Sequence, residues 1–280
     1  MSQDATARIL RALDRRFGVS GKELPPLPDA AALARLLEHN THRRYTATPV
    51  RDDLLDLLYA AALSAPSKSD LQQADIIRVR SVSKRQAIGR LLPDMPWVVE
   101  APVFLVFCGN SRRIRRVASM RGKQFANDHL DAFFNATVDA GIVLATFIHA
   151  AAAAGLGACA ISAIRNHAHD ISDLLELPPW VFPVAGLCVG YPDLKGRIVP
   201  RLPLSLTTHT DRYDEGDFAA QIEAYDRRRD TALPYANQQL VELYGRAGFY
   251  GWSEDKARQY SEPMRADFGA YVRNQGFDLT

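Results

Sequence analysis

The sequence has little cysteine: three residues in 280, Cys108, Cys159 and Cys188, each inside an apolar run. That odd, unspaced set excludes a disulfide framework and reads as reduced, buried thiols of a cytoplasmic protein. It also lacks an excess of either charge. Thirty-four Lys and Arg against 32 Asp and Glu leave +2, too balanced to mark nucleic acid or an acidic membrane as a partner. The N-terminus has no apolar core, only Asp4, Arg8, Arg11, Asp14, Arg15 and Arg16 among its helix formers, so no signal peptide is expected. The longest apolar stretch, Ala132 to Leu156, is interrupted by Asn135, Asp139, Thr146 and His149. It reads as a helix buried in a core or a subunit interface rather than a membrane span. GxGxxG, GxxxxGK[ST] and GxSxG are all missing, which removes the common dinucleotide, nucleotide and serine-hydrolase signatures. No HExxH or cysteine pair supports a metal at His167 and His169, or at Asp128, His129 and Asp131, so no metal is expected.

What is present is a soluble globular composition with an orderly alternation of elements. Residues 1–36 read as a helical N-terminal extension broken by Gly18, Gly21, Pro25, Pro26 and Pro28. Thr48-Pro49 reads as a helix start, with Asp52 and Asp53 at the positive end of the dipole. Leu54, Leu57, Leu58, Ala61 and Ala62 continue at helical spacing until Pro66 forces a stop near Ala65. A loop to Gln73 leads into a half-wet strand, Ile76 to Val82, and Val103 to Cys108 reads as a central strand. The long Ala-rich helix ends at Gly155 and Gly157, and Ala158–Ile161 and Val184–Val189 are further strands. The fold class is α+β, with a body at 37–206 and a polar, helical C-terminal arm at 207–280.

Two basic runs, Arg112 to Arg116 and Arg227 to Arg229, carry no interleaved aromatics and read as solvated faces. The segment His39-Asn40-Thr41-His42-Arg43 is more informative. In extended conformation, period two places His39, Thr41 and Arg43 on one side, a plausible phosphate cradle. Arg201, held extended between Pro200 and Pro203, offers another guanidinium. Ser67, Ser69 and Gln72 supply the hydroxyl and amide groups that suit a polyol or a heterocycle edge.

Five pieces stand in a recognisable order: His39 to Tyr45; Ala65 to Gln72 with Ile76 to Val79; Gly155 to Asn166; Gly186 to Pro203; and Trp252-Ser253. Over residues 37–280 the chain resembles the FMN-dependent nitroreductase and flavin reductase family, especially its NADPH-linked, oxygen-insensitive members with a long C-terminal arm. The resemblance implies a central, mostly antiparallel sheet flanked by helices, with the long helix at the interface of a homodimer. It implies FMN at sites formed across that interface, and NAD(P)H as co-substrate. His39, Asn40, Thr41, Arg43 and Arg201 then match positions at the FMN phosphate. Ser67, Lys68, Ser69 and Gln72 match the loop at the ribityl and ring, and Ile161, Ser162 and Ala163 match the backbone beside the reactive edge. The implied activity is ping-pong transfer of two electrons from NAD(P)H through FMN to a nitroaromatic or quinone, the flavin rather than any catalytic side chain carrying the chemistry. A flavin reductase that releases reduced FMN, and a non-catalytic flavin-binding protein, remain alternatives. The chain departs from the family where Asn40 replaces an arginine, Val199 a lysine and Ser162-Ala163 a glycine pair; Lys68 is expected to replace the charge lost at Val199. In the arm, Phe249-Tyr250-Gly251 stands where relatives carry arginines, leaving Arg246 nearby.

Overall fold

The computed structural model describes residues 2–280. In chain order it has helices α1 (Ser2–Phe17), α2 (Ala30–Leu37) and α3 (Asp52–Leu63), strand β1 (Ala74–Arg78), helices α4 (Val82–Leu91) and α5 (Trp97–Glu100), and strand β2 (Val103–Asn110). Helices α6 (Arg112–Met120) and α7 (Leu130–Ala153), strand β3 (Gly157–Ile161), helix α8 (Ala168–Leu175) and strand β4 (Val181–Gly190) follow. Helices α9 (Phe218–Ala232), α10 (Val241–Tyr244), α11 (Trp252–Gln259) and α12 (Phe268–Asn274) complete the chain. These group into two compact units: Met1–Asn40 with Gly196–Met264, and Thr41–Lys195 with Arg265–Thr280.

The second unit is built on a four-stranded sheet of order β1-β2-β4-β3, antiparallel at every pairing. Strand β2 is buried along its whole length because both faces of the sheet are covered. Leu105 and Phe107 point to one face, against Leu55 and Leu58 of α3 and Val143 and Phe147 of α7. Phe104, Val106 and Cys108 point to the other, against Ile88 of α4, Val98 of α5 and Ile171 of α8. The β2–β4 register slips between Phe107 and Cys108, opposite Pro183, which has no N–H to give the ladder. The neighbouring Val184 carbonyl is taken by the Arg165 guanidinium instead. Residues 265–280 belong to this unit: Tyr271 shares a buried hydrogen bond with Ser172 at 2.7 Å, and Phe277 packs edge-on against Phe182.

In the first unit, α1 and α2 form a small core of Ala5, Ile9, Ala30 and Ala34, and the Arg8–Glu38 ion pair at 2.5 Å lies beside it. The C-terminal helices are joined by polar ties. Asp226 of α9 accepts from the Ser253 amide at 3.0 Å and from its hydroxyl, and Trp252 packs edge-on against Tyr225. Gly251 is obligatory there, since a Cβ would stand 2.5 Å from the Asp226 carboxyl carbon.

Several local expectations are corrected. Helix α3 begins at Asp52, not at Thr48-Pro49; the Thr48 amide turns back to Thr46 Oγ1 at 3.4 Å, and Val50 buries in the core in advance of the first turn. Val82 opens α4 because Ser81 caps the Lys84 amide, so the strand pairing ends with the Val79 amide bonded to Phe104. Gly155, at φ +77°, is the stop of α7, whereas Gly157 opens β3. The basic run of α6 is solvated only in part: Arg113 and Arg116 are exposed, but Arg115 is not. Arg115 is enclosed by Phe125, Trp180 and Phe277 and pairs with Asp128 at 2.6 Å, its aromatics arriving from distant parts of the sequence.

By length and composition α7 is the one helix among the described residues able to cross a membrane. It is two-faced: Ala136, Asp139, Ala140, Val143, Phe147 and Ala151 face the core, while Leu130, Phe134 and Val138 are exposed. Phe147 is fully buried, 5.7 Å edge-on from Phe107. Phe147→Ala should therefore cost about 3–5 kcal/mol of unfolding free energy, measured by urea titration.

Candidate functional site

The polar loop ahead of β1 is held by one residue of α7. Asp139, 1% exposed, accepts from the Ser67 hydroxyl at 2.6 Å, the Lys68 amide at 3.0 Å and the Gln73 amide at 3.2 Å. Ser67 Oγ in turn accepts from the Gln72 amide at 2.7 Å. Between these fixed points the backbone is strained. Ser69, Asp70 and Gln72 adopt φ of 51°, 56° and 51°, a region that costs a non-glycine residue about 1 kcal/mol or more. A second clamp comes from α6: the Arg113 guanidinium bonds the Gln72 carbonyl and Asp75, and Asn110 ties Asp75 to the same helix start. The Asn110 amide also bonds the Gln73 carbonyl at 2.8 Å.

The loop borders a cleft of about 620 Å³ lined by Ser67, Asp70, Gln72, Gln73, Arg113 and Asp139 among others, within the range of small-molecule sites. Gln73 is 2% exposed, and its Nε2 has no partner although it lines the cleft. Lys68 lies on a smaller cavity of about 300 Å³ with Gln124, Phe125, Asn127 and Asn135.

The residues marked from sequence fall in both units. Thr41, Arg43, Ser67, Lys68, Ser69, Gln72, Ile161, Ser162 and Ala163 belong to the second unit; His39, Asn40 and Arg201 belong to the first. Ser67 turns its hydroxyl inward to Asp139, leaving Lys68, Ser69 and Gln72 at the exposed crest. Arg43 stacks on Trp97 at 5.5 Å. The His42 amide bonds Ala158 at 3.0 Å, and the Tyr45 hydroxyl is shared between the carbonyls of His42 and Cys188, which lays this segment along β3 and β4. The His42 ring covers Gly157, where a Cβ would stand 2.7 Å from it. Ile161 is buried at the end of β3, and Ser162 and Ala163 begin a short 3₁₀ turn with Ser162 exposed. In the first unit Asn40 lies across Gly196, its Oδ1 buried without a partner, and Arg201 is exposed. Sequence reasoning missed Asp139 and Arg113. The carboxylate that interrupts the apolar stretch 132–156 was the available signal for the first; the second stood in the basic run read as a solvated face.

Electrostatics set the state of two groups. Burial pushes the Tyr45 phenol upward, so it remains a neutral donor. Burial also holds the His42 imidazole below its ordinary 6.5, opposed by a hydrogen bond with the Leu194 backbone.

An antiparallel sheet covered on both faces, a long two-faced helix and a strained polar loop anchored to that helix, with a polar-lined cleft beside the loop, define an α+β protein. Comparison with known proteins identifies the class. The nitroreductase family model matches residues 36–191, and the family's C-terminal domain model matches residues 200–280. An FMN reductase [NAD(P)H] of Bacillus subtilis is 32% identical over 247 residues, covering 87% of this chain and 96% of that protein. An oxygen-insensitive NADPH nitroreductase of Salmonella typhimurium is 30% identical, covering 86% and 96%. Among solved structures, the NADPH:FMN oxidoreductase from Vibrio harveyi complexed with NAD+ superposes with a TM-score of 0.76 at 27% identity, covering 88% and 97%. NfrA2 of B. megaterium superposes at 0.80 with 30% identity, covering 89% and 98%. The chain belongs to the nitroreductase family.

Asp139→Ala removes the acceptor for one hydroxyl and two backbone amides, and should cost about 3 kcal/mol or more in urea titration. Amide exchange at Lys68 and Gln73 should accelerate by more than exchange in the sheet does. The folded state binds fewer protons at His42 than the unfolded chain, so its contribution is lost as pH falls through about 6.5. Between about pH 7.5 and about pH 5.5 the fall in Tm should be shallower for His42→Gln than for the parent.

Proposed function

We propose that this protein is an FMN-dependent oxidoreductase that passes two electrons from NAD(P)H, through bound FMN, to a nitroaromatic or quinone-type acceptor in a ping-pong cycle. The observation that carries the reading is the Asp139-anchored loop and its cleft, inside the segment matched by the nitroreductase model. The residues present fit such a cofactor. Thr41, Lys68, Ser69, Ser162 and Arg201 spend no side-chain hydrogen bond on the rest of the described residues, and Gln73 Nε2 is a buried donor in want of an acceptor. Hydroxyls, amides and guanidinium groups are the donor set a phosphate, a ribityl chain and a ring carbonyl require.

When bound, FMN supplies the two-electron redox chemistry. The residues assigned to it are His39, Asn40 and Arg201 in the first unit, and Thr41, Arg43, Ser67, Lys68, Ser69, Gln72, Ile161, Ser162 and Ala163 in the second. Arginine and histidine would hold the phosphate, the crest of the loop would meet the ribityl and ring, and the backbone at 161–163 would adjoin the ring. Residues 1–36 are an N-terminal extension, 37–206 the cofactor-binding core and 207–280 a C-terminal arm. The exposed stripe Leu130, Phe134 and Val138 on α7 supports a homodimer, because contiguous apolar surface of this kind marks an interface. Three free, buried cysteines favour a cytoplasmic protein. A flavin reductase that releases reduced FMN is the second reading, favoured by the name of the Bacillus subtilis relative.

The visible spectrum of the purified protein, before and after anaerobic NADH or NADPH, tests both. A flavin spectrum bleached by one donor is expected, with return of colour on adding a nitroaromatic or quinone. Free FMN in the filtrate after reduction would favour the second reading. A colourless protein that takes up no added FMN would overturn the proposal.

A further inference from the structure

The segment ahead of the family match is fastened to the residues assigned to the cofactor phosphate. Helix α1 buries Ala5, Ile9 and Ala12 and ends at Gly18, whose φ of +69° turns the chain and whose amide bonds the Asp14 carbonyl at 2.8 Å. In its last turn Arg16 is 6% exposed, although its side chain is a permanent cation. All three of its hydrogen bonds end on backbone carbonyls: Nε on Leu37 at 2.9 Å, Nη2 on His39 at 2.5 Å and Nη1 on Val199 at 3.3 Å. Its own carbonyl accepts the Arg201 amide at 2.6 Å. The Arg201 carbonyl is held by Arg228 of α9 at 2.6 Å, and a second arm of Arg228 reaches the Arg16 carbonyl at 3.2 Å. Arg228 needs Gly18 beneath it, where a Cβ would come within 2.9 Å. One guanidinium from α1 thus ties His39 to Val199, and the backbone beside it fixes Arg201.

Resting on the FMN assignment above, we propose that Arg16 is a positioning residue for the phosphate end of the cofactor site, holding His39 and Arg201 for a phosphomonoester. It also brings the cationic charge that Val199 does not carry, a role the sequence reading gave to Lys68. Burying a guanidinium on carbonyls beside a second guanidinium is costly unless an anion is to arrive. Burial first, and the Arg201 charge second, hold Arg16 below its ordinary range, the response of a cation placed in a positive field. The family models match residues 36–191 and 200–280, so Arg16 itself lies ahead of the matched regions while its partners His39, Arg201 and Arg228 lie within them.

The test compares FMN with riboflavin, which has the same ring and ribityl chain and no phosphate. Dissociation constants are measured by quenching of flavin fluorescence on the full-length flavin-free protein. Arg16→Gln should weaken FMN by roughly tenfold or more, the scale of a charge-assisted hydrogen bond, and leave riboflavin within about twofold. Arg16→Lys should give a smaller but equally selective loss, and it decides the matter if Arg16→Gln does not fold. Arg8→Gln, which breaks the Arg8–Glu38 pair on the same helix, should leave both constants unchanged. Unchanged FMN binding in the Arg16 variants, or an equal loss of both flavins, would overturn the inference while leaving the FMN assignment standing. A parent protein that binds neither flavin would overturn the assignment itself.

Discussion

A single carboxylate inside an apolar helix organises the cleft. Asp139 lies buried on the core-facing side of α7, and its hydrogen bonds come from the Ser67 hydroxyl and the Lys68 and Gln73 amides. Leaving it unpaired would cost several kcal/mol. The loop is therefore bound to one conformation, and three non-glycine residues are held in left-handed backbone that none would choose alone. The geometry of the crest follows from that constraint. The second clamp, through Arg113 and Asp75, holds the C-terminal end of the loop at the Gln72 carbonyl.

The same helix explains the economy of the second unit. One face of α7 packs against α3 and the sheet, and the carboxylate projects from that face near its midpoint. The other face stays apolar and exposed at Leu130, Phe134 and Val138. Core, loop anchor and exposed apolar stripe are thus combined on one element, and a substitution on α7 perturbs whichever of the three lies beneath it.

Much of the architecture was legible because its signals are local. The continuous apolar run of β2, the alanine-rich periodicity of α7 and the proline that ends α3 each record a burial pattern or a steric rule acting over a few residues. The loop at 66–72 was legible as polar from its serines, aspartate and glutamine. What escaped was long-range. Asp139 meets Ser67 across seventy-two positions, Arg113 meets Gln72 across forty-one, and Arg16 meets Val199 across one hundred and eighty-three. Arg115 looked solvated because Phe125, Trp180 and Phe277 are scattered in sequence and converge only in the fold. Composition reports the residues available; it does not report which carbonyl a guanidinium will find.

The loop's left-handed residues carry a consequence for how this protein can change. Glycine at Asp70 or Ser69 would relieve the local strain, yet it would also enlarge the unfolded ensemble, so the two effects oppose each other in stability. They do not oppose each other in rigidity, since a glycine loosens the crest in the folded state as well. Selection for heat resistance and selection for a more mobile crest would accordingly act on the same few backbone angles in different directions.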